Sequence, residues 1–141
     1  MSEPGLVPGD RVVDLAGLVR TCAVLTAAIA SAACLWILTH SALKTLGAVV
    51  SGGAAGFLFG SLLGAACFPA RAGCIKVVKL GPGALDMALK AGMNGGAIPG
   101  ILAGIVLAMA FDASRILLLA ATGGSIGMAI GVGSAYLATR P

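Results

Sequence analysis

Long apolar runs dominate this chain, and short polar segments separate them. Four of the runs are about 20 residues long, the length that an α-helix needs to cross the hydrocarbon core of a bilayer. They lie near residues 21–39, 46–68, 91–111 and 116–138. Because lipid offers no partner for unpaired backbone groups, runs that cross a bilayer in this way fold as helices. The pattern predicts an all-α membrane protein with four transmembrane helices.

The polar segments predict how these helices are connected. The first connection, His40–Lys44, and the third, Asp112–Arg115, are short, and short connections join antiparallel neighbours. The second connection, Pro69–Asp86, is longer. The expected architecture is two antiparallel hairpins in one transmembrane domain, residues 21–139.

A more polar segment, residues 1–20, precedes the first run. From residue 6 onward it intersperses valine and leucine with aspartate and arginine. This pattern predicts an N-terminal tail with a short amphipathic segment on the membrane surface, ahead of the first span. A flexible tail that happens to contain apolar residues fits the pattern equally well.

Glycine recurs at every fourth position in the last three runs. Residues four apart lie on nearly the same face of a helix, so each series forms a face without side chains. In lipid, close backbone approach replaces the hydrophobic effect as the force that associates helices. We therefore predict that the helices pack through these glycine-zipper faces. The predicted helix-packing residues are Gly52, Gly56, Gly60, Gly64, Gly92, Gly96, Gly100, Gly104, Gly123, Gly127 and Gly131.

Charge is sparse, at 10% of residues with a net charge of +4. Most basic residues fall in the tail, the central connection and the C-terminus, which share one side of a four-span protein. The positive-inside rule would place that side in the cytosol or the matrix. In the central connection, Arg71, Lys76 and Lys79 are candidates for contacts with anionic lipid headgroups such as those of cardiolipin. A nucleic-acid partner is not expected, because basic residues are few and aromatic residues do not alternate with them.

Candidate chemistry changes this interpretation little. The chain has one histidine, no CxxC pair and no paired carboxylates, so neither catalytic residues nor a metal or cofactor site is expected. No carboxylate lies in the middle of a span, which argues against a proton-carrying rotor subunit. Cys67 and Cys74 are either free thiols or, in an oxidising compartment, a disulfide.

Three of the runs carry sequences that resemble a known family. The second reads KTLGAVVSGGAAGFLFGSLLGAAC, the third contains NGGAIPGILAG, and the fourth contains TGGSIGMAIGVG. Together with the chain length and the two tight hairpins, residues 21–138 resemble the TIM translocase family of the mitochondrial inner membrane. That family pairs a small residue with an aromatic one in its second helix, as Ala54 does with Phe57, or Gly56 with Phe59. It also carries a GGxxxG motif further on, which Gly95, Gly96 and Gly100 match.

The resemblance is strongest to members that serve as accessory subunits of respiratory complex I. It implies a multi-pass protein of the mitochondrial inner membrane that braces neighbouring membrane subunits and lipids without catalysing a reaction. The implied partners are other membrane subunits of a multiprotein complex. A channel or core subunit of an inner-membrane protein translocase is the alternative that the same family implies. Family members generally direct their termini toward the intermembrane space, whereas the charge pattern favours the matrix, so both orientations remain open.

Overall fold

The computed structural model describes residues 12–67, 77–79, 81 and 83–140. Most of this part of the chain is helical. The helices are α1 (Leu15–Thr39), α2 (Ala42–Cys67), α3 (Ala84–Phe111) and α4 (Ile116–Ala138). All four are long and apolar enough to cross a membrane, which confirms the prediction of four such helices.

Three of the helices begin earlier than hydropathy predicted. The predicted spans start at residues 21, 46 and 91, whereas α1 begins at Leu15, α2 at Ala42 and α3 at Ala84. Lys44, predicted to lie in the first connection, is therefore in the first turn of α2. Each extra segment contains a charged residue, which lowers the local hydropathy without opposing helix formation. Helix α4 has the predicted bounds, 116–138.

Local capping explains where α1 begins. The Gly17 N–H donates a hydrogen bond to the Asp14 carboxylate at 2.9 Å, in the manner of an N-cap. The Gly83 backbone precedes α3 with a φ of 95°, a left-handed conformation that glycine adopts without a steric penalty.

The amphipathic segment differs from the surface helix that the sequence suggested. Its part from Leu15 onward is the first turns of α1, and Leu15, Leu18 and Val19 are buried. They pack in a cluster with Ala88 and Ala135, from α3 and α4. The bundle therefore buries these side chains and removes them from the membrane surface. Residues 1–11, the rest of the predicted tail, lie outside the described part.

A short two-stranded sheet was not predicted. Strand β1 (Val12–Asp14) pairs antiparallel with strand β2 (Val77–Lys79), with Val13 opposite Val78. The pairing joins the start of α1 to the long connection between α2 and α3. It depends on segments far apart in the sequence, and three-residue strands carry too little alternation to be recognised from the sequence.

Helix α1 lies at the centre of the bundle and packs against the other three helices. Helices α3 and α4 pack along each other, while α2 packs along α1 and makes only marginal contact with α3. A second buried cluster, of Cys34, Ala108 and Leu119, joins α1, α3 and α4 at the opposite end from Leu15. Helix α2 therefore lies at the flank of the bundle, where it packs mainly on α1. A groove separates it from α3.

Candidate functional site

The glycines of α3 and α4 face each other in register. A Cβ atom built on any one of them would collide with the backbone carbonyl of its opposite. Because sequence numbers rise along one helix as they fall along the other, the two helices are antiparallel. Neither helix has room for a side chain at these positions. The facing pairs are Gly92 with Gly131, Gly96 with Gly127, and Gly100 with Gly123.

The last glycine of the α3 series, Gly104, lies against Leu119 of α4. A Cβ there would collide with the Leu119 carbonyl. At this level glycine is present on one helix only, and Leu119 is fully buried beside it. The close approach of α3 and α4 therefore continues beyond their last facing glycine pair, Gly100 and Gly123.

The glycines of α2 meet a different partner, the small-residue face of α1. A Cβ on Gly56 would lie 2.5 Å from the Ala23 carbonyl oxygen, and one on Gly52 would lie 2.5 Å from that of Ala27. A Cβ on Gly60 would lie 2.7 Å from the Ala23 Cβ. Glycine is needed on one helix of this pair, and alanine suffices on the other. The contact loosens at Gly64, where the nearest atom would be 3.4 Å away.

Spacing alone missed the close contact of Gly95 and, on α4, that of Gly124, where a Cβ would lie 2.8 Å from the Ile101 Cγ1 atom. Gly95 is buried against α1, where a Cβ would lie 2.8 Å from the Val19 carbonyl oxygen. It does not belong to the every-fourth-residue series, which occupies the α4-facing side of α3. The signal is the doublet Gly95-Gly96, since adjacent glycines open two faces of one helix and allow two neighbours to approach.

Some glycines have no such neighbour. A Cβ on Gly47 or Gly133 would find no atom within 4 Å outside its own local backbone. Gly133 continues an exposed row of small residues on α4 that includes Ser125 and Ala129, each four positions apart. This outward row lies away from the face that packs on α3.

The groove between α2 and α3 has a volume of about 360 Å³. Small side chains of α1 and α2, together with Phe59, form one wall, and mostly larger apolar side chains of α3 form the other. Two hydroxyls, those of Ser31 and Ser51, are the polar side chains among its lining residues. The Ser51 hydroxyl donates to the Gly47 carbonyl at 3.0 Å, so its own helix satisfies it.

Charged side chains lie toward the ends of the helices. Lys90 and Asp86 form an exposed ion pair at 2.6 Å near the start of α3. At the opposite end, Arg115 and Asp112 form a pair at 3.0 Å. Lys44, near the start of α2, is exposed and has no ion-pair partner in the described ranges.

Asp112 lies in the short connection between α3 and α4. The hydroxyl of Ser114 donates to its carboxylate at 2.6 Å, and the Ser114 N–H donates at 3.1 Å. The hydroxyl hydrogen bond is the main reason why the pKa of Asp112 lies below its usual value, with further lowering by the backbone N–H and by Arg115. Asp112 therefore anchors this turn in its charged form.

The sequence predicted that Arg71, Lys76 and Lys79 contact anionic lipid headgroups. Arg71 and Lys76 lie outside the described residues, and Lys79 ends strand β2 with its side chain also outside them. Cys74 also lies outside the described residues. Both predicted states, free thiols and a Cys67–Cys74 disulfide, therefore stay open. Within residues 12–67 and 83–140, no cluster of histidine, cysteine and carboxylate side chains is arranged to hold a metal ion.

Four long apolar helices in one bundle are consistent with a multi-pass helical membrane protein. No family model, curated protein or solved structure matches this chain. The resemblance to the TIM translocase family therefore stays a prediction from the sequence motifs.

Proposed function

We propose that this chain is a non-catalytic accessory subunit of respiratory complex I in the mitochondrial inner membrane, where it braces neighbouring membrane subunits and lipids. The motifs of the second, third and fourth helices support the family assignment. A bundle in which backbones touch suits a bracing role, because interiors packed without gaps transmit force and deform little.

Within this proposal, the four helices form two hairpins, α1 with α2 and α3 with α4, and glycine zippers hold each of them. The facing pairs of α3 and α4, such as Gly96 with Gly127, support this role for the second hairpin. The contacts of Gly52 and Gly56 with α1 support it for the first. Close approach of this kind gives van der Waals contact over the length of the helices, which is what lipid-embedded helices need to associate.

One observation carries the proposal of an interaction protein: the outward row of small residues on α4. Ser125, Ala129 and Gly133 repeat the small-residue spacing on a face that is exposed and packs on none of the four described helices. A face of this kind lets the backbone of a second helix approach closely. We infer that a neighbouring subunit supplies that helix.

Blue-native electrophoresis after mild detergent extraction tests the proposal. We expect the chain to migrate with a large assembly and to co-purify with subunits of complex I. Gly133→Leu places a large side chain in the outward row and should reduce this co-migration. Met128→Leu, at an exposed position of the same helix, is the matched control and should leave it intact. A chain that migrates alone would contradict the proposal.

The groove beside α2 favours the alternative, a channel or core subunit of a protein translocase, because it is open toward the surroundings of the bundle. A translocation path needs polar groups that replace water for the passing chain. The groove offers two serine hydroxyls, and the Ser51 hydroxyl is already bonded to its own helix. A photo-crosslinker at Ala103, in the groove wall, would label a stalled precursor if the alternative holds, and would not label it if the chain is an accessory subunit.

A further inference from the structure

We propose that the groove between α2 and α3 binds one acyl chain of a membrane phospholipid whose anionic headgroup lies on Lys44. This site is distinct from the basic residues of the long connection. It does not depend on which complex the chain belongs to.

The lining of the groove matches hydrocarbon. Ala48, Ala55 and Phe59 of α2 face Leu102 and Val106 of α3 across it. The polar exceptions, Ser31 and Ser51, are too few to hold a polar molecule, and the Ser51 hydroxyl is bonded to the Gly47 carbonyl. An acyl chain has no hydrogen bonds to give up when it enters such a site, and it gains van der Waals contact with both walls.

The shape of the groove suits a single narrow chain. Its α3 wall extends from Pro99 to Leu107, which is about 12 Å along the helix axis. An extended acyl chain that lies along this wall contacts α2 and α3 at the same time. A second copy of the chain is the competing occupant, and the crosslinking arm of the experiment below tests for it.

Lys44 continues the groove-lining face of α2. Ala48 lines the groove four residues later, and positions 51, 55 and 59 follow at intervals of three or four, so all share one side of the helix. Lys44 therefore lies about 6 Å beyond Ala48 along the helix axis. It stands at the head of the groove, on the side of the bundle where α2 begins.

The charge at this position is available for an anionic headgroup. Lys44 is exposed and has no carboxylate partner in the described ranges, whereas the other cation at this end, Arg115, is paired with Asp112. Helix α2 begins at Ala42 and has no acidic residue in its first turn, so its positive dipole end adds to the attraction. An apolar groove that leads to a cation without a carboxylate partner among the described residues matches the polarity of a phospholipid, which joins an acyl chain to a charged headgroup.

Electron paramagnetic resonance of the full chain in phosphatidylcholine nanodiscs tests the acyl-chain site. The probe is phosphatidylglycerol that carries a spin label near the end of one acyl chain. We expect an immobilised spectral component that Ala55→Phe removes by filling the groove. Ala54→Phe, at an exposed neighbouring position that does not line the groove, is the matched control and should retain it. Val106→Trp fills the groove from the α3 wall and should repeat the loss, and circular dichroism checks that each variant is folded.

A second part of the experiment tests the contact between Lys44 and the anionic headgroup. Lys44→Ala should lower the preference for phosphatidylglycerol over phosphatidylcholine by about fivefold, the effect of one lysine near a lipid phosphate. Lys44→Arg keeps the charge and should keep the preference. Lys90→Ala removes a cation from the other end of the bundle and should leave the preference unchanged.

Two results would overturn the inference. The first is an immobilised component of equal size in folded Ala55→Phe and Ala54→Phe. The second is efficient crosslinking between two copies through a cysteine placed at position 55, which would show that a second copy of the chain covers the groove. Because the experiment uses the isolated chain, failure of this inference leaves the electrophoretic test of the proposed function untouched, and the converse also holds.

Discussion

At the scale of single residues, the surroundings of each glycine decide what it contributes. Gly127 and Gly133 lie on the same helix, and the sequence predicted a packing role for Gly127 but not for Gly133. A Cβ on Gly127 would collide with the Gly96 carbonyl, whereas one on Gly133 would meet open space. The same residue type is thus required by packing within the bundle at the first position and is not required by it at the second.

Gly127→Ala is expected to lower the free energy of unfolding by about 1–3 kcal/mol, the usual cost of an overpacked contact, because α3 and α4 must move apart. Gly133→Ala is the matched control. With space around it, alanine should be neutral or stabilise by up to about 1 kcal/mol through its higher helix propensity. Thermal unfolding in detergent micelles, followed by circular dichroism, measures both changes. Equal midpoints for the two variants would contradict the steric account of Gly127.

At the scale of elements, the connection from α3 to α4 depends on one carboxylate. Asp112 accepts both the hydroxyl and the backbone N–H of Ser114 and pairs with Arg115. Hydrogen bonds to a charged carboxylate favour its ionised form and lower its pKa. The same contacts begin the short 3₁₀ turn, Ala113–Arg115, that leads into α4.

The lowered pKa of Asp112 predicts a pH dependence with a definite sign. Its contribution to stability is fully present above the ordinary aspartate pKa, about 3.9, and is lost as the pH falls through the lower pKa of the folded state. The melting midpoints of the wild type and of Asp112→Ala should therefore differ above that pH and converge in acid.

Asp112→Asn is the matched control for this titration, because it keeps an acceptor for Ser114 but carries no titrating group. Its midpoint should lack the acid-dependent loss that Asp112 causes in the wild type. Thermal melts across an acidic pH series in the same detergent provide the measurement. A gap between wild type and Asp112→Ala that persists at the lowest pH at which the chain stays folded would refute this role.

At the scale of the whole molecule, the bundle divides into a core and a flank. Helices α1, α3 and α4 contact one another, and both buried clusters lie among them. Helix α2 packs mainly on α1, which Gly52 and Gly56 approach closely, and it touches α3 only marginally. Segments with few buried contacts open at lower free energy than the core of the same protein.

Gly56→Leu should therefore loosen α2 selectively. A leucine there cannot fit against the Ala23 carbonyl, so we expect amide hydrogen exchange in α2 to accelerate about fivefold or more, as a contact loss of about 1–3 kcal/mol implies, while α3 keeps its protection. Gly47→Leu, in open space on the same helix, should leave exchange close to that of the wild type. Hydrogen exchange with mass spectrometry resolves the helices. Equal acceleration in α2 and α3 would show that the bundle opens as one unit and has no separate flank.

The sequence by itself determined the four long helices of this protein. Hydropathy placed four helices, with the bounds of α4 correct at both ends, because a long apolar run has one way to satisfy its backbone in lipid. Glycine spacing identified helix faces without side chains, since that spacing is a property of a single helix. Hydropathy and glycine spacing are properties of a short stretch of sequence, so they can be read without knowing the tertiary structure.

Only the tertiary structure decided which surfaces meet. It paired β1 with β2, buried Leu15 inside the bundle, set Gly95 against Val19 and left Gly133 facing outward. It also left the groove beside α2, which exists because α1 holds that helix and α3 barely touches it. Contacts of this kind join residues that are far apart in the sequence, so no local pattern of polarity or spacing contains them.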